Sequence, residues 1–134
     1  MFEKQIMEKK IHKAWFVVKI ILALFLTYAG VQHFINPDFF AKVVPPFLSD
    51  FTLPIVYISG VIEIAIGLLL LTNKYQYLGA AAFMWLMLFF LPLHIWDVFA
   101  ENPFTGSRNA ALVRLVMQFV LIGLLWKLQQ VYKE

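Results

Sequence analysis

Hydrophobic residues form four long runs along the chain, separated by short polar segments. The runs cover Ala14–Ile35, Thr52–Thr72, Tyr77–Val98 and Arg108–Leu128. About 20 residues at 1.5 Å rise per residue cross the roughly 30 Å hydrocarbon core of a bilayer, so each run is long enough to span a membrane as a helix. Because short connections favour antiparallel neighbours, the pattern predicts an all-α integral membrane protein, built as an up-and-down four-helix bundle.

The segments outside the runs also carry structural signals. Residues 1–13 form a basic lead-in that we expect to be helical and continuous with the first run, and residues 14–134 form one transmembrane domain. The loop from Asn36 to Phe51 is predicted to hold a short interfacial helix that starts at Pro37 and ends before Pro45. A cleaved signal peptide is the alternative for the first run, although its apolar core is longer than is usual for a signal.

Basic residues lie mainly on one side of the predicted membrane. Seven flank the runs on the side of the termini, against two in the opposite loops. The first set is Lys4, Lys9, Lys10, Lys13, Lys74, Lys127 and Lys133, and the second is Lys42 and Arg108. The positive-inside rule therefore predicts that both termini are cytoplasmic. We expect the membrane to be a bacterial inner membrane. Lys19 lies inside the first run near its cytoplasmic end, and we expect it to snorkel outward.

Composition excludes several classes of function. The chain is 62% hydrophobic, and its net charge of +3 follows from the membrane topology, so it gives no indication of nucleic-acid binding. Cysteine is absent, which excludes thiol–disulfide chemistry and cysteine-ligated metals. No run has the HxxxH or ExxH spacing of bundle metal sites, and no phosphate-binding fingerprint occurs. We therefore predict no metal and no intrinsic cofactor.

Glu63 lies near the centre of the second run, with a glycine about one turn to either side. Gly60, Glu63 and Gly67 share one helix face, and Ser59 lies one turn before Glu63. A carboxylate is costly in hydrocarbon, and small residues let a neighbouring helix come close. The pattern predicts that Glu63 points into the bundle.

Further polar residues lie in the outer half of the predicted bundle or at its middle. Counted at 1.5 Å per residue, His94 lies roughly 6 Å deep, Arg114 roughly 10 Å, and Glu63 roughly 16 Å, level with Gln118. All four runs are therefore predicted to contribute to one outward-facing polar pocket. Its candidate residues are Glu63, Arg114, His94, Gln118, Asp97, Ser59, Tyr28, Gln32 and His33.

These polar residues have alternative interpretations. Glu63 and Arg114 either form a ligand or proton site, or a buried ion pair that fixes which helices are neighbours. His94 has three interpretations: a proton-relay pair with Asp97, a contact to a ligand, or an interfacial histidine whose hydrogen bonds are satisfied. His33, near the outer surface, is favoured as a capping or hydrogen-bonding residue over direct chemistry.

Short motifs lie in or beside all four runs. They are Ala29–Phe34 (AGVQHF) with Asn36-Pro37, Val44-Pro45-Pro46, Tyr57–Glu63 (YISGVIE) with Gly67–Leu70 (GLLL), His94, and Arg114-Leu115 with Gln118. With these motifs the chain resembles the DoxX-like family of small four-helix membrane proteins. The resemblance implies the same bundle, and it matches Glu63, Arg114 and Gln118 to recurring polar positions of that family. Related proteins are associated with a thiosulfate:quinone oxidoreductase, with complexes around superoxide dismutase, and with receptor assembly. Some use cysteine pairs, which this chain lacks.

Three functions follow as hypotheses. The first is a non-catalytic or accessory membrane protein that binds a small hydrophobic or quinone-like ligand in the pocket. The second is an assembly or interaction partner of other membrane or redox proteins. The third is a subunit of a sulfur-compound:quinone oxidoreductase, in which His94 or Glu63 accepts a proton, Arg114 binds the anion, and a partner supplies the redox centre. A transporter would require oligomerisation, because four spans are few for alternating access.

Overall fold

The protein is all-α, as the sequence pattern predicts. The computed structural model describes residues 1–133, and no strand occurs in that range. The helices are α1 (Phe2–Ile35), α2 (Pro37–Ala41), α3 (Thr52–Leu71), α4 (Gln76–Phe99) and α5 (Arg108–Tyr132), and a 3₁₀ helix (Pro46–Phe51) directly precedes α3. Four of them, α1, α3, α4 and α5, are long and apolar enough to cross a membrane.

The outer surface of the bundle is apolar. Large side chains such as Ile21, Leu24, Phe89 and Val113 are more than half exposed, although they lie within the long helices. In water, so much exposed apolar surface would promote aggregation, whereas in a bilayer it contacts acyl chains. The chain is therefore a multi-pass membrane protein.

Helix boundaries agree closely with the hydrophobic runs. The lead-in and the first run form one continuous helix, α1, and the side chains of residues 1–14 are all exposed. Pro37 begins α2 as expected, but the Asn36 side chain makes no capping hydrogen bond. The 3₁₀ helix was not predicted; it follows Pro45, whose extended backbone ends the segment after α2. At the other loop, the Ser107 hydroxyl oxygen caps α5 by accepting a hydrogen bond of 3.1 Å from the Ala110 N–H.

The long helices pack in chain order. Contacts are most extensive between α1 and α3 and between α4 and α5; α3 joins the two pairs through α4, and α1 touches α5 only slightly. We call the end of the bundle that holds the 72–75 turn the turn end, and the end that holds residues 36–51 and 100–107 the loop end. The hydrophobic core lies mainly toward the turn end; its residues are Leu22, Ala23, Leu26, Ile66, Leu70, Ala80, Phe83, Met87, Leu125 and Leu128. The two helix pairs are therefore held together chiefly at the turn end.

Candidate functional site

Two glycines face each other where α1 and α3 come close. A Cβ atom on Gly30 would lie 2.8 Å from the Gly60 carbonyl oxygen, and one on Gly60 would lie 2.9 Å from the Gly30 carbonyl oxygen. Cβ atoms do not approach backbone oxygens so closely, so this contact requires glycine on both helices. His33 and Glu63 each lie one turn after a glycine, and the close approach brings them together across the helix contact.

His33 and Glu63 form a buried ion pair. His33 Nε2 lies 2.6 Å from Glu63 Oε2, and the two residues are only 6% and 7% exposed. His33 Nδ1 lies 2.8 Å from the carbonyl oxygen of Val56. Because a carbonyl oxygen can only accept, Nδ1 carries a proton and donates it to Val56. This bond fixes the imidazole with Nε2 facing the carboxyl group.

The short distance between Nε2 and Oε2 also fixes the charge of the pair. Two lone pairs 2.6 Å apart would repel, so one of the two groups carries a proton at this contact. Whether it belongs to an imidazolium or to a neutral carboxyl group, the pair has no net charge. A net-neutral pair avoids the cost of burying an isolated ion among apolar helices. The contact is electrostatic rather than a well-aligned hydrogen bond, since Oε2 has no partner in hydrogen-bonding geometry among the described residues.

Helix α2 covers this pair from the loop end. The Phe40 ring stacks on the His33 imidazole, with ring centroids 3.7 Å apart and planes inclined by 21°. Beside it, the rings of Phe34 and Tyr57 stack at 5.4 Å and join α1 to α3. The predicted short helix thus closes the pair away from its surroundings, so His33 and Glu63 are not available for direct contact with a ligand in this conformation.

Asp97 anchors the loop between α4 and α5. It is 3% exposed, and its carboxylate accepts a hydrogen bond of 2.7 Å from the Phe104 N–H and one of 3.3 Å from the Thr105 hydroxyl. The Arg108 Nε donates to the Val98 carbonyl oxygen at 3.1 Å and holds the other side of the loop. The loop satisfies the carboxylate, which favours a structural role for Asp97.

Phe104, positioned by that bond, lies beside two polar side chains of the spans. Its ring centroid is 6.4 Å from that of His94 and 5.2 Å from the Arg114 Cζ atom, within the range of a cation–π contact. His94 Nδ1 is buried and has no hydrogen-bond partner among residues 1–133. Arg114 is exposed, and within the same range no carboxylate lies within ion-pair distance of its guanidinium. Both groups therefore retain unused hydrogen-bonding capacity.

The inward stripes of α4 and α5 contain less buried positions in their loop-end halves. On α5, Gln118 and Ala111 are buried, whereas Leu121 is half-buried and Arg114, on the same face, is exposed. On α4, Met87 and Asp97 are buried, whereas Phe90 and His94 between them are half-buried. We call the region around these less buried side chains the loop-end cleft; its residues are Phe90, His94, Phe104, Arg114 and Leu121.

The remaining predicted residues lie around these clusters. Gln118 is buried, and its Nε2 donates to the Met87 carbonyl oxygen at 2.9 Å, so it links α5 to α4. Met87 directly precedes Leu88, whose carbonyl oxygen lacks the usual helical donor because Pro92, four residues later, has no N–H. Ser59 and Gln32 are half-buried, and Tyr28 is 65% exposed on the outer side of α1.

The structure thus arranges the predicted polar residues as two clusters. Glu63 pairs with His33 on the neighbouring helix α1 rather than with Arg114. Asp97, His94 and Arg114 gather around the loop residue Phe104 on the α4–α5 side. Sequence reasoning missed both Phe40 and Phe104. Phe104 lies between the turn signals Asn102-Pro103 and Thr105-Gly106, which indicate turns on both sides of it.

Comparison with known families gives one match. The model of a family described as "Domain of unknown function (DUF8561)" matches residues 22–129, a range that includes every candidate site residue. Searches of curated proteins and of solved structures return no significant match.

Proposed function

The chain belongs to the DUF8561 family, and from its geometry we propose a non-catalytic or accessory membrane protein that binds a small hydrophobic or quinone-like molecule in the loop-end cleft. The observation that carries this proposal is Arg114, an exposed cation within a membrane-spanning helix. On insertion scales an arginine at the centre of a spanning helix costs about 2.5–3.5 kcal/mol, and Arg114, roughly 10 Å deep, bears part of that cost. Such residues mark pathways and binding sites more often than lipid-facing surfaces.

The chemistry of the cleft selects a class of ligand. The exposed Arg114 guanidinium offers several donors that an oxygen-bearing headgroup would satisfy, and the His94 ring lies beside the same Phe104 ring. The Phe104 ring and the apolar side chains of Phe90 and Leu121 suit a flat or apolar body. A molecule with carbonyl or anionic oxygens on an apolar frame, such as a quinone, fits this combination. The resemblance to DoxX-like proteins supports the same ligand class.

Photo-crosslinking tests this proposal directly. The purified protein would be labelled with a photoreactive quinone and with a photoreactive phospholipid, and the labelled peptides would be mapped. We expect quinone labelling at residues 90–121 of the wild type, and its loss in Arg114→Gln and His94→Leu. Lys127→Gln, which removes an exposed cation elsewhere on α5, is the matched control and should label normally. Quinone labelling that persists unchanged in both cleft variants would refute the site.

An assembly role is the second candidate, and the same exposed arginine favours it. A carboxylate on a helix of a partner protein would neutralise Arg114 as well as a ligand would. Affinity purification in mild detergent distinguishes the two. A protein partner lost on Arg114→Glu but retained in Lys127→Glu would support assembly, whereas a small molecule retained by the protein alone would support ligand binding.

We further propose that both termini face the cytoplasm of a bacterial cell, on the strength of the basic residues at the turn end. The absence of native cysteine makes this easy to test. Single variants Gln5→Cys and Ser49→Cys place one thiol at each end of the bundle, on exposed positions. An impermeant maleimide added to intact cells should label Ser49→Cys alone. Labelling of Gln5→Cys instead would reverse the orientation, and the cleft would then open to the cytoplasm.

A further inference from the structure

Lys19 is a buried cation without a counter-ion among the described residues. It is 1% exposed, and its Nζ donates to Gln76 Oε1 at 2.9 Å. The ammonium otherwise faces the rings of Phe16 at 4.9 Å and Tyr132 at 5.3 Å, and no carboxylate of residues 1–133 lies within ion-pair distance. The expectation that Lys19 snorkels outward is therefore corrected: its side chain reaches the turn end, but the ammonium is buried between helices.

Lys19 also determines which way Gln76 points. The amide oxygen of Gln76 accepts from the ammonium, so its Nε2 donors are directed elsewhere, and they make no hydrogen bond within residues 1–133. Gln76 lines a cavity of about 560 Å³ at the turn end, together with Asn73, Lys74, Tyr77, Tyr132 and Lys133. Two exposed lysines, an oriented amide donor and a buried positive charge behind it therefore surround one space.

We propose that this cavity binds the phosphate group of an anionic phospholipid. The phosphate of a phospholipid carries a full negative charge and accepts several hydrogen bonds at once, and Lys74, Lys133 and Gln76 supply donors around the same volume. Lys19 does not reach the cavity surface, and it acts as a positioning residue that orients Gln76 and adds positive charge.

A lipid is favoured over free phosphate by the surface next to the cavity. Leu78, which follows the lining residue Tyr77 on α4, is 54% exposed. This apolar side chain lies where an acyl chain of a bound lipid would run. Basic pockets at the membrane surface bind anionic headgroups in this manner, and each lysine raises the affinity about fivefold.

Native mass spectrometry of the full chain in mild detergent tests the site, with phosphatidylglycerol and phosphatidylcholine as competing probes. We expect the wild type to retain phosphatidylglycerol preferentially. Lys74→Gln and Lys133→Gln should each reduce that retention about fivefold, as should Lys19→Gln, while Lys127→Gln should leave it unchanged. Lys74 and Lys133 are exposed, so the test does not depend on Lys19→Gln folding.

Three results would overturn the proposal. Equal retention of the two lipids by the wild type would remove the phosphate site. An equal effect of Lys127→Gln would reduce it to a general surface charge effect. Displacement of phosphatidylglycerol by millimolar inorganic phosphate would keep the phosphate chemistry but reject lipid as its source. This site lies at the opposite end of the bundle from the loop-end cleft, so either assignment stands if the other fails.

Discussion

The buried pair of His33 and Glu63 leads to a prediction about stability. The prediction depends on the single proton that the pair holds, which leaves it without net charge. The variants are His33→Ala, Glu63→Gln and the double variant. His33→Ala leaves the Glu63 carboxyl group buried without its partner, whereas Glu63→Gln replaces the acid by an amide of the same shape. Because His33 Nδ1 donates to Val56, its Nε2 can accept a hydrogen bond from the new amide.

The expected magnitudes differ between the two single variants. Breaking a buried ion pair costs about 3–5 kcal/mol, but interhelical hydrogen bonds in a membrane protein reach only about 1.7 kcal/mol, so we expect His33→Ala to lower the free energy of unfolding by about 2–3 kcal/mol. Glu63→Gln keeps a neutral hydrogen bond, and its cost should stay below about 1 kcal/mol. Once His33 is gone, the amide is easier to bury than the acid, so the double variant should be no less stable than His33→Ala.

Equilibrium unfolding in mixed micelles measures these values, with the fraction of a denaturing detergent raised stepwise and helicity followed by circular dichroism. His12→Ala, on the exposed part of α1, is the control and should leave the midpoint unchanged. Costs that simply add in the double variant would mean that the two residues do not interact. A Glu63→Gln variant as unstable as His33→Ala would refute the inference that the pair holds one proton and has no net charge.

Three more predictions concern the helix contact, the loop and the cleft. Gly60→Ala should cost about 1–3 kcal/mol by pushing α1 from α3, while Gly123→Ala, whose added Cβ meets nothing within 4 Å, should be neutral or stabilising in the same unfolding assay. Asp97→Asn weakens the charge-assisted hydrogen bond to the Phe104 N–H. Amide hydrogen exchange of residues 100–107 should therefore accelerate about tenfold, which corresponds to a loss of about 1.4 kcal/mol in the stability of the loop. Unchanged exchange would contradict the anchoring role of Asp97. Arg114→Gln should leave the free energy of unfolding within about 0.5 kcal/mol of the wild type, because an exposed side chain without an ion-pair partner contributes little to stability. A larger decrease would indicate a structural role for Arg114.

The helices were predictable because the membrane imposes one dominant constraint. Each run must match the hydrocarbon thickness, so its length and apolarity define the helix within a few residues. The start of α2 at Pro37 also follows from local chemistry, since proline suits the first helical position. The 3₁₀ helix over Pro46–Phe51 escaped prediction because two successive prolines indicate a break in α-helix without specifying the backbone that follows.

The sequence predicts how deep each site residue lies in the membrane, but not which neighbouring helix its side chain faces. Counting residues places Glu63 level with Gln118 and within about one helical turn of Arg114, yet it gives no information on which helices are neighbours. The missing information lies in a symmetry between two runs: Gly30 precedes His33 by one turn, as Gly60 precedes Glu63. Read together, the two glycines predict a close contact of α1 with α3, and that contact pairs the histidine with the acid.

The position of the hydrophobic core toward the turn end explains how an exposed arginine is tolerated within a span. Leu125, Leu128 and Phe83 are fully buried toward the turn end, so the apolar packing that joins the two helix pairs lies away from the cleft. At the loop end each pair is held separately, by the glycine contact and ion pair on one side and by Asp97 and Gln118 on the other. The proposed ligand would therefore bind in a region whose side chains contribute little to holding the two pairs together. A substitution that removes the cation, such as Arg114→Leu, should abolish binding without unfolding the bundle.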